Sequence, residues 1–347
     1  MSDPASAASG TEPSEGDGQG IASRLGLGLA AIGRPAYITA GRDDDLGDPA
    51  DRSVDALRAR AHALLDGAWW LGIRYIDAAR SYGLAEQFLG SWLAAHPGRR
   101  DELTIGSKWG YAYTGGWRMD AAEHEHKEHS LARFEQQWPE SLEALGTEPD
   151  VYLVHSLTLD SPALSDRALL DRLRALADSG VRVGFSTSGP RQGELIDRML
   201  DAGDSPFSAV QTTWNLLEPS AGEALARAND ARWLVVVKES LANGRLAGGS
   251  PGTGGGSAAS GTPASPASPE QRAAALAEAD GQPLAGLALG AVVAEPWADI
   301  VLTGAVTRRQ LRENVAAQPP RVPADALAAL AEPPEQYWAA RSARPWS

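Results

Sequence analysis

Residues 151–186 read VYLVHSLTLDSPALSDRALLDRLRALADSGVRVGFS, and the organisation of this stretch decides the fold. Its first part, Val151–His155, is a short apolar run of the kind that forms a strand buried on both faces. Apolar residues then recur at helical spacing over Leu164–Ala177, and a second short apolar run, Val181–Ser186, follows. Because a helix between two strands returns the chain to the start of the next strand, the two strands are expected to be parallel.

The same unit of strand and helix recurs along most of the chain. Further short apolar runs predict strands at Arg24–Ala30, Ile73–Asp77, Leu103–Lys108, Ala209–Thr213, Trp233–Lys238 and Ile300–Thr303. Amphipathic segments predict helices at Ser53–Leu71, Leu84–Ala95, Leu131–Leu145, Gly193–Leu200, Ala221–Asn229 and Leu284–Ala294. Roughly eight such units favour one α/β domain, a (β/α)8 or TIM barrel. An open doubly wound sheet is the alternative that periodicity leaves open.

Two segments depart from this pattern. Residues 1–20 are rich in Ser, Gly, Asp and Glu, which predicts a disordered tail before a barrel over residues 21–345. Residues 247–269 contain only small residues, Pro and Thr, which predicts a flexible loop inserted after the seventh strand. A domain linker would have the same composition, but strand and helix patterns resume afterwards. A terminal helix is predicted over Ala324–Ala331, ending before Pro333.

The composition excludes several classes of function. The chain of 347 residues has no cysteine, so disulfides, zinc–thiolate sites and thiol nucleophiles are impossible, and a reducing cytoplasm is the expected location. A formal net charge of −14 argues against a nucleic-acid surface. No apolar run is long enough to cross a bilayer. We therefore expect a small-molecule partner, while the oligomeric state stays open.

Four polar residues fall where a barrel places its chemistry, at the carboxyl ends of its strands. Asp77, Lys108 and His155 end three predicted strands, and Tyr82 lies in the loop after Asp77. The ammonium of Lys108, held by Asp77, would lower the pKa of the phenol, and His155 would orient a substrate oxygen. Taken alone, each residue could have a purely structural role, as a helix or turn cap, a packed ring or half of an ion pair. Their joint placement favours proton transfer to a carbonyl oxygen.

The histidines of the run His124–His129, HEHKEH, form the other polar cluster of note. His124, His126 and His129 could in principle bind a metal, but their spacing matches no common site. The charge of the run favours a solvated loop or helix start, so no metal site is predicted.

The separated motifs resemble those of the aldo-keto reductases. The run GIRYIDAARSYG at residues 72–83, IGSKW at 105–109 and YLVH at 152–155 carry the resemblance, which extends from about Ser23 to Ala317. It implies a barrel enzyme that exchanges a hydride between a nicotinamide dinucleotide and a small carbonyl compound or alcohol. By this resemblance Tyr82 is the proton donor, with Asp77, Lys108 and His155 as its partners.

The resemblance also implies a cofactor site. Ser186 and Gln211 match residues that hold the nicotinamide amide, whereas Lys238 replaces an aromatic residue that stacks on the ring. The run TGAVTRRQLREN at residues 303–314 resembles the adenosine-phosphate site. Its predicted cofactor-binding residues are Gly304, Ala305, Arg308, Arg309 and Asn314.

The residue types at positions 303–314 favour anion binding independently of the resemblance. A turn of small residues opens onto a helix N-terminus, whose free amides attract anions, and Arg308 and Arg309 would add charge for a 2′-phosphate. NADP(H) is therefore the expected cofactor, with NAD(H) left open because Gln310 stands where the resemblance leads us to expect a phosphate-binding arginine.

The leading hypothesis is an NAD(P)H-dependent oxidoreductase that reduces an aldehyde or ketone, or oxidises a sugar or alcohol, with Tyr82 as general acid or base. The alternative is a non-catalytic NADPH-binding regulatory protein on the same barrel, since a fold does not dictate a function. A metal-dependent hydrolase is disfavoured, because no His-x-His motif ends the first strand.

Overall fold

The computed structural model describes residues 21–39, 42–48, 51–248 and 267–346. The tail predicted over residues 1–20, and residues 249–266 of the predicted loop, lie outside these described residues. The described part of that loop ends early, because a helix begins at Pro269 with a capping box between Ser268 and Gln271.

Eight parallel strands close into a barrel, as the sequence predicted, in the order β1-β10-β9-β8-β7-β6-β3-β2. A two-stranded antiparallel hairpin, β4 and β5, lies outside the barrel. The strands are β1 Leu25–Gly28, β2 Tyr75–Asp77, β3 Thr104–Trp109, β4 Tyr111–Tyr113, β5 Glu125–Lys127, β6 Val151–Leu157, β7 Arg182–Thr187, β8 Ala209–Thr213, β9 Leu234–Lys238 and β10 Ile300–Thr303.

Helices surround this barrel. They are α1 Arg42–Leu46, α2 Val54–Trp70, α3 Ala85–Ala95, α4 Leu131–Leu145, α5 Arg167–Asp178, α6 Gln192–Leu200, α7 Gly222–Asp230, α8 Pro269–Asp280, α9 Leu284–Ala294, α10 Arg308–Val315, α11 Ala324–Ala328 and α12 Pro334–Ser342. Within the described ranges none of them combines the length and the apolarity that a transmembrane span requires.

The alternation of side chains along each strand places the candidate residues inside the barrel. Side chains two apart share a face. Tyr75, Val151, Leu153, Ala209, Val236 and Leu302 form one buried apolar cluster of strand residues. Asp77 follows Tyr75 by two positions, His155 follows Leu153, and Lys238 follows Val236. Each polar side chain therefore continues the interior face of its strand and lies above the apolar layer, at the carboxyl end.

A second and larger core lies between the strands and the helices. Its fully buried members include Ile105, Val154 and Phe185, which alternate with the interior residues along their strands. Because truncating such a side chain leaves a cavity, each replacement by alanine would cost about 2–5 kcal/mol. This core holds the strand ends, and so the candidate site, in a rigid frame.

Four elements were not predicted from the sequence: the β4–β5 hairpin and helices α1, α8 and α12. The hairpin strands are three residues each and the first helix is five residues, too short for a clear periodic pattern. The helix predicted over Ala324–Ala331 is present but shorter, and it is not the last helix among the described residues. It ends at Ala328, and Pro334 then occupies the first turn of α12, where a missing amide hydrogen costs nothing.

Candidate active site

A buried ion pair joins the ends of β2 and β3. The Lys108 ammonium donates to Asp77 Oδ2 at 2.6 Å and to the Ala78 carbonyl at 2.9 Å. Gln211 Nε2, from β8, donates to the other oxygen, Asp77 Oδ1, at 2.7 Å. The Lys108 side chain is 0% exposed and that of Asp77 is 3% exposed, so each charge depends on the other for compensation. The pairing predicted between these residues is therefore present.

Tyr82 lies beside this pair, in the loop after β2. The Lys108 Nζ atom is 4.7 Å from the centre of the Tyr82 ring. The loop packs closely on the turn after β1, where the Leu84 amide donates to the Gly33 carbonyl at 2.8 Å. A Cβ atom on Gly33 would lie 2.2 Å from the Tyr82 carbonyl oxygen, so only glycine permits this approach. The two loops together hold the phenol at the barrel mouth.

The pKa of the Tyr82 phenol shifts in the direction opposite to the lowering that the sequence analysis predicted. Burial raises the pKa of the phenol well above its ordinary value, and the nearby Asp77 and Glu125 carboxylates raise it further. Arg34 acts in the opposite direction but does not prevail. The lowering of this pKa that we expected from Lys108 does not occur, because burial and the Asp77 carboxylate outweigh the positive charges nearby. Tyr82 is consequently a neutral hydrogen-bond donor at physiological pH.

His155 continues the same surface from β6. Its ring meets that of Tyr82 edge to face, with centroids 5.4 Å apart. Burial and the positive charges of Lys108 and Lys238 lower the pKa of His155 well below its ordinary value, so the imidazole is neutral. His155 Nδ1 lies 3.3 Å from Ser81 Oγ. A neutral ring can offer a hydrogen bond without adding charge to the site.

One continuous cavity of about 410 Å³ connects these groups with the loop after β10. Of the residues predicted from the sequence it is lined by Asp77, Tyr82, His155, Gln211, Lys238, Gly304, Ala305 and Asn314. Lys108, Ser186, Arg308 and Arg309 do not line it. Lys108 does not line the cavity but contacts Asp77, which does. Ser186, Arg308 and Arg309 have other partners.

Ser186 is buried and already engaged. Its Oγ accepts a hydrogen bond from the Ser156 amide at 2.7 Å. Ser156 has φ +52°, a left-handed conformation that few residues adopt without support. Ser156, Glu239 and Asn243 all have positive φ and all line the cavity. Strain concentrated in this way is typical of functional sites. Ser186 therefore supports the cavity wall at Ser156 in this structure.

Lys238 occupies the wall beside His155 and belongs to a charge cluster. Its Nζ donates to Thr213 Oγ1 at 2.9 Å and lies 3.9 Å from Glu239 Oε1. Burial lowers the pKa of Lys238 to about 8. Burial alone would raise the pKa of Glu239, but Arg341 and Lys238 bring it down to about 2. Arg341, on α12, donates to both Glu239 oxygens, at 2.9 and 3.0 Å from Nε.

The loop after β10 and the N-terminus of α10, where the sequence predicted a phosphate site, differ most from the prediction. The N-terminus of α10 is capped by its own residues, because the Gln310 amide donates to Thr307 Oγ1 and the Val306 and Thr307 amides donate to Gln310 Oε1. Arg308 Nε donates to the Ala63 carbonyl at 2.9 Å, outside the cavity. Arg309 pairs with Glu313 at 2.8 Å. Neither arginine lines the cavity, although Glu313, the partner of Arg309, does.

Several cavity residues were not identified from the sequence, above all Arg34, Tyr37 and Trp346. The Arg34 guanidinium carbon lies 5.2 Å from the ring centres of Tyr37 and Tyr82 and 4.6 Å from that of Trp346. Arg34 Nη1 also donates to Glu125 Oε1, on β5, at 2.7 Å. The available signal was weak and concerned only Trp346: two arginines precede it in the C-terminal run ARSARPW of an otherwise acidic chain.

The three histidines of the run 124–129 do not form one group. His124 stacks on Trp346 with ring centroids 4.4 Å apart, and His126 is exposed on the hairpin. His129 is buried between Ser161 Oγ and the His155 carbonyl, both 2.7 Å away, and burial lowers its pKa to about 4. The expectation of a solvated loop or helix start was wrong, because the hairpin folds back on the barrel. Among the described residues no group of acidic or histidine side chains could hold a metal.

Solved structures of similar fold agree with this architecture. An aldo-keto reductase from Bacillus halodurans in its holo form is 23% identical, with a TM-score of 0.64 over 91% of this chain and 95% of that chain. A Pseudomonas aeruginosa protein assigned to the aldo-keto reductases is 22% identical, with a TM-score of 0.55 over 90% of this chain and 93% of that chain. No curated protein sequence matches the chain.

The sequence itself supplies the classification. The model of the aldo/keto reductase family matches residues 46–332, a span that begins in α1 and includes Asp77, Tyr82, Lys108 and His155. The closed barrel, the ion pair at its mouth and the match over most of its length agree, and this chain belongs to the aldo/keto reductase family.

Proposed function

We propose that this chain reduces a small aldehyde or ketone with a nicotinamide cofactor, using Tyr82 as the proton donor. Its family supports an NAD(P)H-dependent carbonyl oxidoreductase in general terms. The observation that carries the finer proposal is the position of the Tyr82 phenol, which lines the cavity at the barrel mouth with its ring 5.4 Å from that of His155. A phenol that keeps its proton suits reduction, in which the substrate oxygen must gain one.

The cavity suits a dinucleotide. Its lining runs from Tyr82 and His155 to Gly304, Ala305 and Asn314, and a Cβ atom on Gly304 would meet nothing within 4 Å. Lys238 and Gln211 would hold the nicotinamide end, and the loop after β10 would hold the phosphates. When bound, the reduced cofactor supplies a hydride.

The roles of the protein residues follow from their contacts. The carbonyl carbon accepts the hydride while its oxygen takes the Tyr82 proton, so an alcohol forms, and solvent returns a proton to the phenolate. His155 donates a hydrogen bond to the substrate oxygen and orients it. The Lys108 ammonium, 4.7 Å from the Tyr82 ring centre, is already paired with Asp77. The Arg34 guanidinium, whose carbon lies 5.2 Å from the same ring centre, therefore favours the phenolate that forms transiently. Asp77 and Gln211 hold Lys108 in position.

The proposal extends to either cofactor. The sequence predicted NADP(H) from Arg308 and Arg309, but neither lines the cavity. A chain without cysteine suits the reducing cytoplasm, which we propose as its location.

The test is a Tyr82→Phe variant assayed with NADPH and NADH against a panel of aldehydes and ketones. We expect kcat to fall by about a hundredfold or more while the Kd of the cofactor changes little. Tyr111→Phe is the matched control, since Tyr111 lines the same cavity with its ring 4.9 Å from that of His155, and it should retain most of the activity. Normal turnover of Tyr82→Phe would refute the role of this residue. Cofactor binding by a wild-type chain that reduces no carbonyl would favour the non-catalytic alternative.

A further inference from the structure

Arg34 is a buried cation in the cavity wall, beside the proposed proton donor. Its side chain is 2% exposed, it lines the cavity, and its guanidinium carbon lies 5.2 Å from the centre of the Tyr82 ring. A buried guanidinium is costly unless its charge and its N–H groups find partners. A donor of Arg34 that lacks a partner therefore indicates a group that the cavity is built to bind.

The hydrogen bonds of Arg34 all come from one nitrogen of the guanidinium. Nη1 donates to the Ser81 carbonyl at 2.8 Å and to Glu125 Oε1 at 2.7 Å. Nε is buried and meets no acceptor among the described residues, and Nη2 makes no hydrogen bond with them either. Nε and Nη2 together form the edge of a guanidinium that binds a carboxylate side-on, through two parallel N–H···O bonds. This edge of Arg34 is therefore unused, and Glu125 is bound away from it.

Aromatic rings hold the guanidinium of Arg34 in place. Besides Tyr82, the rings of Tyr37 and Trp346 have their centres 5.2 and 4.6 Å from its carbon atom. Trp346 is itself stacked on His124, with ring centroids 4.4 Å apart. Aromatic rings attract a guanidinium mainly through its flat faces, which leaves the N–H groups in its plane available for hydrogen bonds. A donor edge that is fixed in advance loses little freedom when it binds, and this favours affinity.

Two more cations, Lys238 and Arg341, line the cavity and share one carboxylate. Glu239 Oε1 lies 3.9 Å from Lys238 Nζ, and Arg341 Nε donates to both Glu239 oxygens. Asp77, which also lines the cavity, is paired with Lys108 beneath it. One negative charge thus compensates two positive charges around Glu239, so a further carboxylate in the cavity would be attracted to them.

The pKa of His155 reports the same sign of potential. After burial, the positive charges of Lys108, Lys238 and Arg34 lower the pKa of the imidazole. At the phenol of Tyr82, by contrast, nearby carboxylates act against Arg34 and raise the pKa. The cavity is therefore most favourable to an anion on its His155 side.

We propose that the substrate is an oxo acid, a carbonyl compound that carries its own carboxylate, and that Arg34 binds this carboxylate. The carbonyl oxygen meets Tyr82 and His155, while the two carboxylate oxygens accept hydrogen bonds from Nε and Nη2 of Arg34. Because the guanidinium lies beside the Tyr82 ring, a short chain between the carbonyl and the carboxylate spans both contacts. The inference rests on the proposed function, since it names the substrate class of the same cavity.

Steady-state kinetics of the full chain with two pairs of aldehydes test this preference. The pairs are succinic semialdehyde with its methyl ester and para-carboxybenzaldehyde with its methyl ester, so esterification removes the negative charge in each. For the wild type, kcat/KM of each acid should exceed that of its ester by about tenfold or more, chiefly through a lower KM. Arg34→Met should reduce this ratio by about tenfold or more, whatever it does to the rate with the ester. Arg34→Lys keeps the charge but loses the paired donors, and it should keep only part of the preference.

The control is Arg191→Met, which removes an exposed arginine outside the cavity and should leave the ratio unchanged. Far-UV circular dichroism verifies that each variant is folded, and the ratio of the wild type decides the matter if Arg34→Met does not fold. A wild type that reduces the esters as well as the acids overturns the inference and leaves the proposed function intact. A folded Arg34→Met variant that keeps the wild-type ratio overturns it too. A chain that reduces no carbonyl compound refutes the proposed function, and the inference with it.

Discussion

Replacing Lys108 by methionine should destabilise the barrel strongly, because it breaks the buried ion pair and leaves one charge behind. The Lys108 and Asp77 side chains are 0% and 3% exposed, so water cannot compensate the remaining carboxylate. Breaking such a pair costs about 3–5 kcal/mol of the free energy of unfolding. Exposed charges contribute far less, and Lys127→Met, at an exposed hairpin position, should cost less than about 1 kcal/mol.

A second substitution separates the charge from the loss of packing. In the double variant Lys108→Met with Asp77→Asn no charge is stranded, and the new amide oxygen still accepts the hydrogen bond from Gln211. The Ala78 carbonyl, which accepts from Lys108 at 2.9 Å, still lacks its donor, at a cost of about 1–3 kcal/mol. The double variant should therefore be more stable than the single variant by about 2 kcal/mol.

Urea unfolding measures these differences, with far-UV circular dichroism and tryptophan fluorescence recorded on the same samples. Coincident transitions justify a two-state free energy. The reasoning is refuted if Lys108→Met costs no more than Lys127→Met, or if the double variant is no more stable than the single one. Either result would mean that water or a rearranged side chain compensates Asp77.

Two further predictions concern the residues around Tyr82 and His155. Gly33→Ala should lower both stability and kcat, because the new Cβ atom would lie 2.2 Å from the Tyr82 carbonyl oxygen. The control is Gly203→Ala, whose Cβ atom would meet nothing within 4 Å. Thermal unfolding and turnover are measured for both variants, and equal effects would contradict the steric argument. The pKa of His129 is about 4 in the folded state, below its ordinary 6.5, so the unfolded chain binds more protons between these values. Wild-type stability should consequently fall as the pH drops from about 6.5 to 4, by up to about 3 kcal/mol from this residue. His129→Gln should flatten the profile measured by urea unfolding, and an unchanged profile would exclude His129 as its source.

Much of the barrel was predictable because its signals are local. The strand ending at Asp77 and the helix over Leu131–Leu145 depend on residues that are neighbours in sequence, and the helix bounds agree with the prediction. The grouping of Asp77, Lys108 and His155 followed from the rule that parallel strands of a barrel end at one rim. Tyr82 was found through its place in the loop and the resemblance to the family.

The contacts that close the cavity were not predictable in this way. Arg341 reaches Glu239 across 102 positions of sequence, and Trp346 meets His124 and Arg34 at the cavity wall. Nothing near any of these residues in sequence indicates its partner. The partners of Arg308 and Arg309 were equally unpredictable: their sequence position suggests a phosphate site, but Arg308 donates to the Ala63 carbonyl and Arg309 pairs with Glu313.

The amino-acid sequence by itself determined the alternation of strands and helices and the place of Asp77, Lys108 and His155 at strand ends, because both follow from short-range periodicity. Only the tertiary structure decided the closure of the barrel, the protonation of Tyr82 and His155, and the partners of Arg308 and Arg309. The pKa of Tyr82 is raised because burial and the Asp77 carboxylate outweigh the positive charges nearby. Such balances depend on which distant charges meet and on how much water is excluded around them.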